Sequence, residues 1–278
     1  MRIASSRGRL VVSRGRGWVD VEKASGGRFA HDPQAVYGRW DEFLAWAADG
    51  LDSSETVELD GTSFDPPVPS PRQIMAIGLN YREHARESHM AEPEHPVVFT
   101  KFSSSLTGHG STVTLPSDGV DWEVELVVVI GKGGHRIRPE KAWDHVAGLT
   151  VGQDLSWREV QTRGPAPQFS MAKSYPGFSP VGPVVVTQDE FADKDDLAIS
   201  CSLNGEVLQD GRTSDLIFPV PVLIAHLSKS LTLYPGDLIF TGTPSGVGNG
   251  RNPKRFLVPG DLVSTVEGIG NLTVHLVN

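Results

Sequence analysis

Three acidic residues alternate along one predicted strand and could bind a metal ion. Side chains of an extended chain point to opposite faces in turn, so Asp121, Glu123 and Glu125 of the segment Asp121–Ile130 would share one face. Glu123 and Glu125 would then lie about 6.6–6.8 Å apart. Buried carboxylates without partners cost several kcal/mol each, and like charges repel. A divalent cation would remove both penalties, whereas a solvated acidic edge is the alternative.

Asp154 is a candidate for a third metal ligand. It lies where the predicted strand Ala147–Leu155 gives way to a helical stretch, a position at which ligands often occur. The alternative is an ordinary helix N-cap, a position that aspartate fills well. Because such a ligand set contains only oxygen, it favours Mg²⁺ or Mn²⁺ over Zn²⁺.

A histidine and a glutamate lie three residues apart in a short predicted helix, Tyr81–His89. His84 and Glu87 would share one helical face, and a carboxylate that orients an imidazole makes it a better general base. A surface ion pair is the alternative. Lys101 and Lys173 lie in turn-rich contexts and could bind an anionic substrate, although exposed lysines usually only aid solubility.

The segments that must position these residues are mostly predicted strands. They are rich in β-branched residues and bounded by turn residues: Ile74–Leu79, Val97–Phe102, Asp121–Ile130, Ala147–Leu155, Pro183–Thr187, Leu197–Leu203, Leu238–Thr241 and Leu262–Val266. Asn204 and Gly205 indicate a two-residue hairpin turn. The predicted helices are few: Gln34–Ala48, Tyr81–His89, Pro139–Val146 and Val222–Ser228. This pattern favours a mainly β fold with some α+β elements, either closed or sandwich-like.

Composition limits the function classes. A net charge of −9 argues against non-specific nucleic-acid binding. No apolar run approaches the roughly 20 residues of a membrane span, and no secretory signal is visible. One cysteine excludes an internal disulfide framework, so a cytoplasmic location is expected. The proline-rich stretch at residues 65–71 predicts a boundary between a small N-terminal domain, 1–70, and a main body, 71–278.

Several ordered sequence blocks in residues 71–278 resemble the fumarylacetoacetate hydrolase family. The blocks that carry the resemblance are Gly78–Glu87, Val97–Lys101, Val120–Leu126, Gly152–Arg158, Ala172–Pro183, Asn204–Thr213 and Pro235–Gly246. The resemblance implies a mixed β-roll body with a small N-terminal domain, usually paired into homodimers. It also implies Mg²⁺ or Mn²⁺ bound by Glu123, Glu125 and Asp154.

The resemblance further assigns expected roles around the metal. It implies that His84 and Glu87 form the catalytic base, that Lys173 is the active-site lysine, and that substrate contacts come from three residues: Arg158, Gln161 and Thr243. The expected activity is hydrolysis of a C–C bond in a 2,4-dioxo acid such as an acylpyruvate or fumarylpyruvate. The alternatives on the same site are decarboxylation of a 2-oxo acid such as oxaloacetate, and hydration or isomerisation of a 2-oxo acid.

Overall fold

The structure is a computed structural model that describes residues 1–51 and 54–278. Strands dominate the described ranges: β1 (Arg2–Ser6), β2 (Arg9–Arg14), β3 (Gly17–Asp20), β4 (Ile74–Gly78), β5 (Val97–Thr100), β6 (Leu106–Thr107), β7 (Ser111–Thr114), β8 (Val120–Asp121), β9 (Val124–Ile130), β10 (Val146–Gln153), β11 (Ser156–Trp157), β12 (Ser179–Val186), β13 (Ala198–Leu203), β14 (Glu206–Arg212), β15 (Leu238–Phe240), β16 (Gly260–Val266) and β17 (Gly270–Val277).

The helices are short. They are α1 (Val21–Ala24), α2 (Pro33–Tyr37), α3 (Trp40–Gly50), α4 (Arg82–Glu87), α5 (Arg158–Gln161), α6 (Phe169–Ala172) and α7 (Val220–Ser230). Single 3-10 turns or longer 3-10 segments cover Ser103–Ser105, Pro139–His145, Gln188–Glu190, Thr213–Asp215 and Gly248–Gly250. Within the described ranges, no helix combines the length and the apolar character needed to cross a membrane.

Two mixed sheets form the body. The larger one has ten strands, in the order β3-β2-β1-β12-β10-β9-β15-β4-β5, with β6 paired to β12. The smaller one has five strands, in the order β14-β13-β16-β17-β7. Most neighbours are antiparallel, but the pairs β4–β15, β6–β12 and β7–β17 are parallel. The predicted mainly β architecture with few helices is therefore confirmed.

Strand β9 separates two hydrophobic cores because its side chains alternate between them. Val124, Leu126 and Val128 face the core shared with the five-stranded sheet. Val127 and Val129 face a second core, to which the N-terminal helices contribute. All residues of β9 are buried, so both faces of the strand are covered, which explains its run of valines after Leu126.

The N-terminal region adds three strands to the large sheet, since β1 pairs antiparallel with β12. The single helix predicted at Gln34–Ala48 is instead two helices, α2 and α3, that break at Gly38 and Arg39. This break lets both Tyr37 and Trp40 enter the core, where their rings stack with centroids 5.7 Å apart. The division into domains 1–70 and 71–278 stays a prediction.

Two further predictions concern local backbone structure. Asn204 and Gly205 connect β13 to β14 with φ values of 51° and 84°, so the predicted hairpin turn is confirmed. The strand predicted over Asp121–Ile130 is interrupted at Trp122 and Glu123. Side chains replace the ladder partners at this point, because the Glu123 and Val124 amides donate to the side-chain oxygens of Gln153 and Gln209, each over 3.0 Å.

Candidate active site

The sheet register brings the acidic residues of two neighbouring strands together. In the antiparallel pair β9–β10, Glu125 lies opposite Gly152 and Val124 lies opposite Gln153. Asp154 follows directly after β10 and donates its backbone N–H to the Glu123 carbonyl over 2.9 Å. The start of β9 and the end of β10 therefore present three carboxylates at one edge of the sheet.

Glu123, Glu125 and Asp154 form a compact buried triad. Each offers one carboxylate oxygen, and these three oxygens lie within 4.8 Å of one another. The exposed fractions are 6%, 1% and 0%, so the alternative of a solvated acidic edge is wrong. The N-cap alternative for Asp154 is also wrong, because the following helix α5 begins after Trp157 and the Asp154 carboxylate faces two lysines instead.

Cationic side chains surround this triad. Lys173 Nζ donates to Glu123 Oε2 over 2.8 Å and to Asp154 Oδ2 over 2.5 Å. Lys101 Nζ donates to Asp154 Oδ1 and to the backbone carbonyl of Lys173. Arg158 places Nη2 2.7 Å from Glu123 Oε1. Glu123 and Asp154 are thus paired with cationic side chains. Glu125 accepts a hydrogen bond from the Gly242 amide over 2.7 Å, and within the described residues it has no cationic partner.

The pKa shifts follow from this uneven pairing. Burial raises the pKa of Glu123, but the charges of Lys173, Arg158 and His84 outweigh it and lower this pKa to about 2. Burial and the charges of Asp154 and Glu123 together raise the pKa of Glu125 well above its usual range. Burial opposes the charge on Lys173, but Asp154 and Glu123 raise its pKa above normal. Glu125 is therefore the carboxylate whose charge most needs a further cation.

The donor set fits a divalent cation. With each of these groups ionised and His84 neutral, the four buried carboxylates of the triad and Asp121 stand against three cationic side chains, those of Lys101, Arg158 and Lys173, and the formal charge is −1. The triad supplies only oxygen atoms, which suits Mg²⁺ or Mn²⁺. A divalent ion would change the net charge of this cluster to positive and would therefore favour an anionic ligand.

His84 and Glu87 lie on α4 and contact each other as the sequence predicted. His84 Nδ1 is 2.7 Å from Glu87 Oε1, and Glu87 Oε2 accepts the backbone N–H of Gly246 over 2.9 Å. The exposed fraction of the His84 side chain is 10%, so the surface ion pair alternative is wrong. With Nδ1 bound to Glu87, Nε2 is the ring nitrogen that remains for a ligand.

One cavity of about 680 Å³, which we call the site cavity, connects these groups. Seven of the residues predicted at the site line it: His84, Glu87, Glu123, Arg158, Gln161, Lys173 and Thr243. Glu125 and Asp154 lie behind this lining, beside Glu123. The structure therefore brings together every predicted site residue, and the roles given to them remain predictions.

Three predicted substrate-binding residues take their positions from neighbouring side chains. Arg158 Nη1 donates to Gln161 Oε1 over 2.9 Å, so one turn of helix presents both groups. Thr243 Oγ1 accepts from Gln209 Nε2 over 2.7 Å and donates to the Val124 carbonyl over 2.9 Å. The hydroxyl is consequently anchored next to the start of β9.

The sequence analysis missed several contributors to the site. The sequence predicts Lys101 only as an anion-binding residue, but its side chain lies fully buried against Asp154. Phe99 and Phe169 form an aromatic wall of the cavity, with centroids 5.6 Å apart. The segment that carries Asn249 and Arg251 also lines the cavity. Only its glycine content, at Gly246, Gly248 and Gly250, could have indicated a close approach of its backbone to other groups.

The fold and the site define a mixed-β protein whose buried carboxylate triad suits a divalent metal ion. A family model described as fumarylacetoacetate (FAA) hydrolase C-terminal matches residues 73–277. The chain belongs to this family, as the resemblance in its sequence implied.

The relatives of this chain are named for more than one kind of activity. The chain is 45% identical over 211 residues to "Oxaloacetate tautomerase FAHD2A, mitochondrial" of Homo sapiens, which covers 75% of this chain and 67% of that protein. Among solved structures, a putative HpcE protein from Mycobacterium smegmatis is 54% identical, with a TM-score of 0.93 over 100% of this chain and 99% of that one. Maleylpyruvate hydrolase from Sphingobium sp. SYK-6, in complex with manganese (II) ion and pyruvate, is 28% identical, with a TM-score of 0.82 over 100% and 99%.

Two predictions about the cellular state of the protein remain open. The human relative is named as a mitochondrial protein, so the cytoplasmic location expected for this chain stays a prediction. The homodimer expected from the family resemblance also stays a prediction.

Proposed function

We propose that this protein is a metal-dependent tautomerase of a 2-oxo acid of the oxaloacetate type. One observation carries the proposal: the His84–Glu87 pair lines the same 680 Å³ cavity as Glu123, the triad carboxylate that reaches its wall. A tautomerase needs a base beside a site that polarises a 2-oxo group, and this cavity supplies both. The relative named as an oxaloacetate tautomerase adds support. Isomerisation of a 2-oxo acid, the class to which tautomerisation belongs, is one of the alternatives expected from the sequence, whereas hydrolysis is the main expectation.

His84 is the group that moves the proton. Its Nε2 accepts a proton from the carbon next to the 2-oxo group, and Glu87 stabilises the imidazolium that forms. The same nitrogen then delivers this proton to the enolate oxygen, which completes the enol, and the two transfers in reverse order return the keto form. Because the Glu87 carboxylate also accepts the Gly246 amide, its orientation toward the imidazole is constrained on both oxygens.

Basic and polar side chains orient the acid end of the substrate. Lys173, whose pKa is raised above normal by Asp154 and Glu123 despite its burial, retains its positive charge and stabilises the oxygen on which negative charge develops. Arg158, Gln161 and Thr243 line the same cavity and bind the carboxylate of the substrate. A divalent cation bound by Glu123, Glu125 and Asp154 would act there as a Lewis acid toward the 2-oxo acid.

Hydrolysis of a C–C bond in a 2,4-dioxo acid is the second candidate function. The His84–Glu87 pair favours it, because an oriented imidazole can also activate a water molecule. Maleylpyruvate hydrolase, a solved relative with the same fold, adds support. Decarboxylation of oxaloacetate would use the same site but would not require His84 as a base.

Three assays separate these functions: loss of the enol absorbance of oxaloacetate, release of pyruvate from oxaloacetate, and release of pyruvate from an acylpyruvate. The purified protein with Mg²⁺ or Mn²⁺ is given oxaloacetate, and loss of the enol absorbance is followed together with pyruvate release. The proposed function predicts enol loss well above the rate of metal alone, without matching pyruvate release. Pyruvate from oxaloacetate would indicate decarboxylation, and pyruvate from an acylpyruvate would indicate hydrolysis. Absence of metal-dependent turnover in all three assays would refute the proposal.

The variant His84→Ala tests the base. General-base catalysis contributes about 10²–10⁴-fold, so the tautomerase rate should fall by this factor while metal binding is retained. His135→Ala is the matched control, because His135 is exposed and lies outside the site cavity. A His84→Ala variant with the control's activity would eliminate the proposed role of the imidazole.

A further inference from the structure

Asp121 is a buried carboxylate to which neither the metal triad nor the base pair assigns a role. Its exposed fraction is 0%. Oδ1 accepts the backbone N–H groups of Trp122 and Gly248, each over 2.8 Å. Oδ2 accepts the Asn249 N–H over 2.9 Å and Arg158 Nε over 2.8 Å. Both oxygens are therefore fully used, and two of the four donors belong to one segment of backbone.

That segment, residues 246–251, which we call the glycine loop, also contacts the base pair. The Gly246 amide donates to Glu87 Oε2 over 2.9 Å. A Cβ atom on Gly250 would lie 3.1 Å from the same oxygen, so the loop backbone packs directly against the Glu87 carboxylate. At Gly248 a Cβ atom would lie 1.8 Å from the Arg255 carbonyl, which shows how closely the loop is enclosed. The glycine loop therefore donates hydrogen bonds to Asp121 from Gly248 and Asn249 and to Glu87 from Gly246.

Asp121 reaches the metal side of the site through Arg158. Arg158 Nη2 is 2.7 Å from Asp121 Oδ2 and 2.7 Å from Glu123 Oε1. Nη1 of the same guanidinium donates to Gln161. One carboxylate thus lies between the loop that supports the base and the arginine that contacts a candidate metal ligand.

We propose that Asp121 is a positioning residue that fixes Glu87, and through it the His84 imidazole, by anchoring the glycine loop. The proposal rests on the proposed function only in taking His84 as the base. Asp121 itself does not line the site cavity, so it acts through the loop and not by touching the substrate. A displacement of about 1 Å in a catalytic group can reduce a rate by about 10²-fold, so an anchor of this kind has a measurable effect on kcat.

The variant Asp121→Asn removes the anchor with little change in shape. The new amide group replaces one oxygen, so in either orientation it faces two donors that it cannot accept. We expect kcat to fall by about 10- to 100-fold. The double variant with Glu87→Gln is the decisive comparison. If Asp121 acts through Glu87, the loss in kcat caused by Asp121→Asn is several-fold smaller in the Glu87→Gln background than in the wild type.

Asp237→Asn is the matched control. Asp237 is also 0% exposed, and its carboxylate accepts backbone N–H groups of Gln73 over 3.0 Å and Tyr234 over 2.8 Å, outside the site cavity. Its substitution should lower thermal stability without changing kcat. The double variant with Glu87→Gln should therefore have the same kcat as Glu87→Gln alone.

Amide hydrogen exchange at single-residue resolution supplies a readout that does not depend on activity. Asp121→Asn should speed exchange at Gly248 and Asn249, which donate to Asp121, and also at Gly246, which donates to Glu87 and not to Asp121. Faster exchange at Gly248 and Asn249 with an unchanged Gly246 would overturn the proposal, as would losses in kcat that multiply. The exchange result stands even if the protein proves to have another activity.

Gly250→Ala keeps the proposal testable if Asp121→Asn does not fold. It leaves Asp121 intact and presses a methyl group toward Glu87 Oε2 from the glycine loop. We expect a loss in kcat of about 10-fold that disappears in the Glu87→Gln background. A Gly250→Ala enzyme with wild-type kcat, or one whose loss persists undiminished without the Glu87 carboxylate, would show that the loop does not position Glu87.

Discussion

Replacing Lys101 with methionine would test whether buried charge balance stabilises the metal site. The Lys101 side chain and that of its partner Asp154 are both 0% exposed. Lys101 Nζ also donates to the backbone carbonyl of Lys173. Methionine retains most of the apolar stem but removes the charge and all three donors. Asp154 would then depend on Lys173 alone, and the net charge of the cluster would change by one unit toward negative.

The size of the effect follows from these contacts. Removing one partner of a buried ion pair costs about 3–5 kcal/mol, and the remaining Lys173 contact places the expected value near the lower end. At about 2–4 °C for each kcal/mol in a chain of this size, the melting temperature of the metal-free protein should fall by roughly 6–12 °C. Lys132→Met is the control, since Lys132 is exposed and surface substitutions usually change stability by less than about 0.5 kcal/mol.

Thermal unfolding in EDTA and in Mn²⁺ would measure this effect. A bound cation compensates the carboxylates in both proteins, so the difference between Lys101→Met and the wild type should narrow in Mn²⁺. A melting temperature for Lys101→Met within error of the Lys132→Met control, in EDTA, would refute the argument. The charge count of the site would then have to be revised.

Three other predictions concern the metal and the base segment. Glu125→Gln should abolish Mn²⁺ binding in calorimetry. Burial and the charges of Asp154 and Glu123 raise the pKa of Glu125 in the folded state. The metal-free wild type should therefore lose stability as pH rises through that pKa, whereas the variant should not. An equal dependence of stability on pH in the two metal-free proteins would contradict this. EDTA should inactivate the enzyme, and Mg²⁺ or Mn²⁺ should restore activity better than Zn²⁺, because the ligands are hard oxygens; full activity after exhaustive chelation would remove the metal from the proposal. The backbone amides of Tyr81–His89 should exchange faster without oxalate than with it, because the segment has few apolar side chains to bury; identical protection in both states would exclude closure over a ligand.

The sequence predicted which reactive residues lie together better than it predicted their long-range contacts. Alternation along the predicted strand Asp121–Ile130 placed Glu123 and Glu125 together, because a strand has a period of two. The i, i+3 spacing paired His84 with Glu87, because a helix turns every 3.6 residues. Both are local relationships, so they could be inferred without knowledge of the fold. The interruption of the strand at Trp122 and Glu123 could not, since it depends on side chains of distant segments.

What the sequence by itself determined is therefore the set of reactive groups and the mainly β character of the chain. Only the tertiary structure decided how they are buried and paired. Asp154 could have been a helix cap, and the register of β9 against β10 made it a neighbour of Glu123 instead. The sequence pointed to Lys101 and Asp121 as charged residues of interest, but their pairings had no local signal, because the partners Asp154 and Arg158 lie 53 and 37 residues away. Long-range contacts of this kind arise from sheet order and packing, which no short sequence pattern encodes.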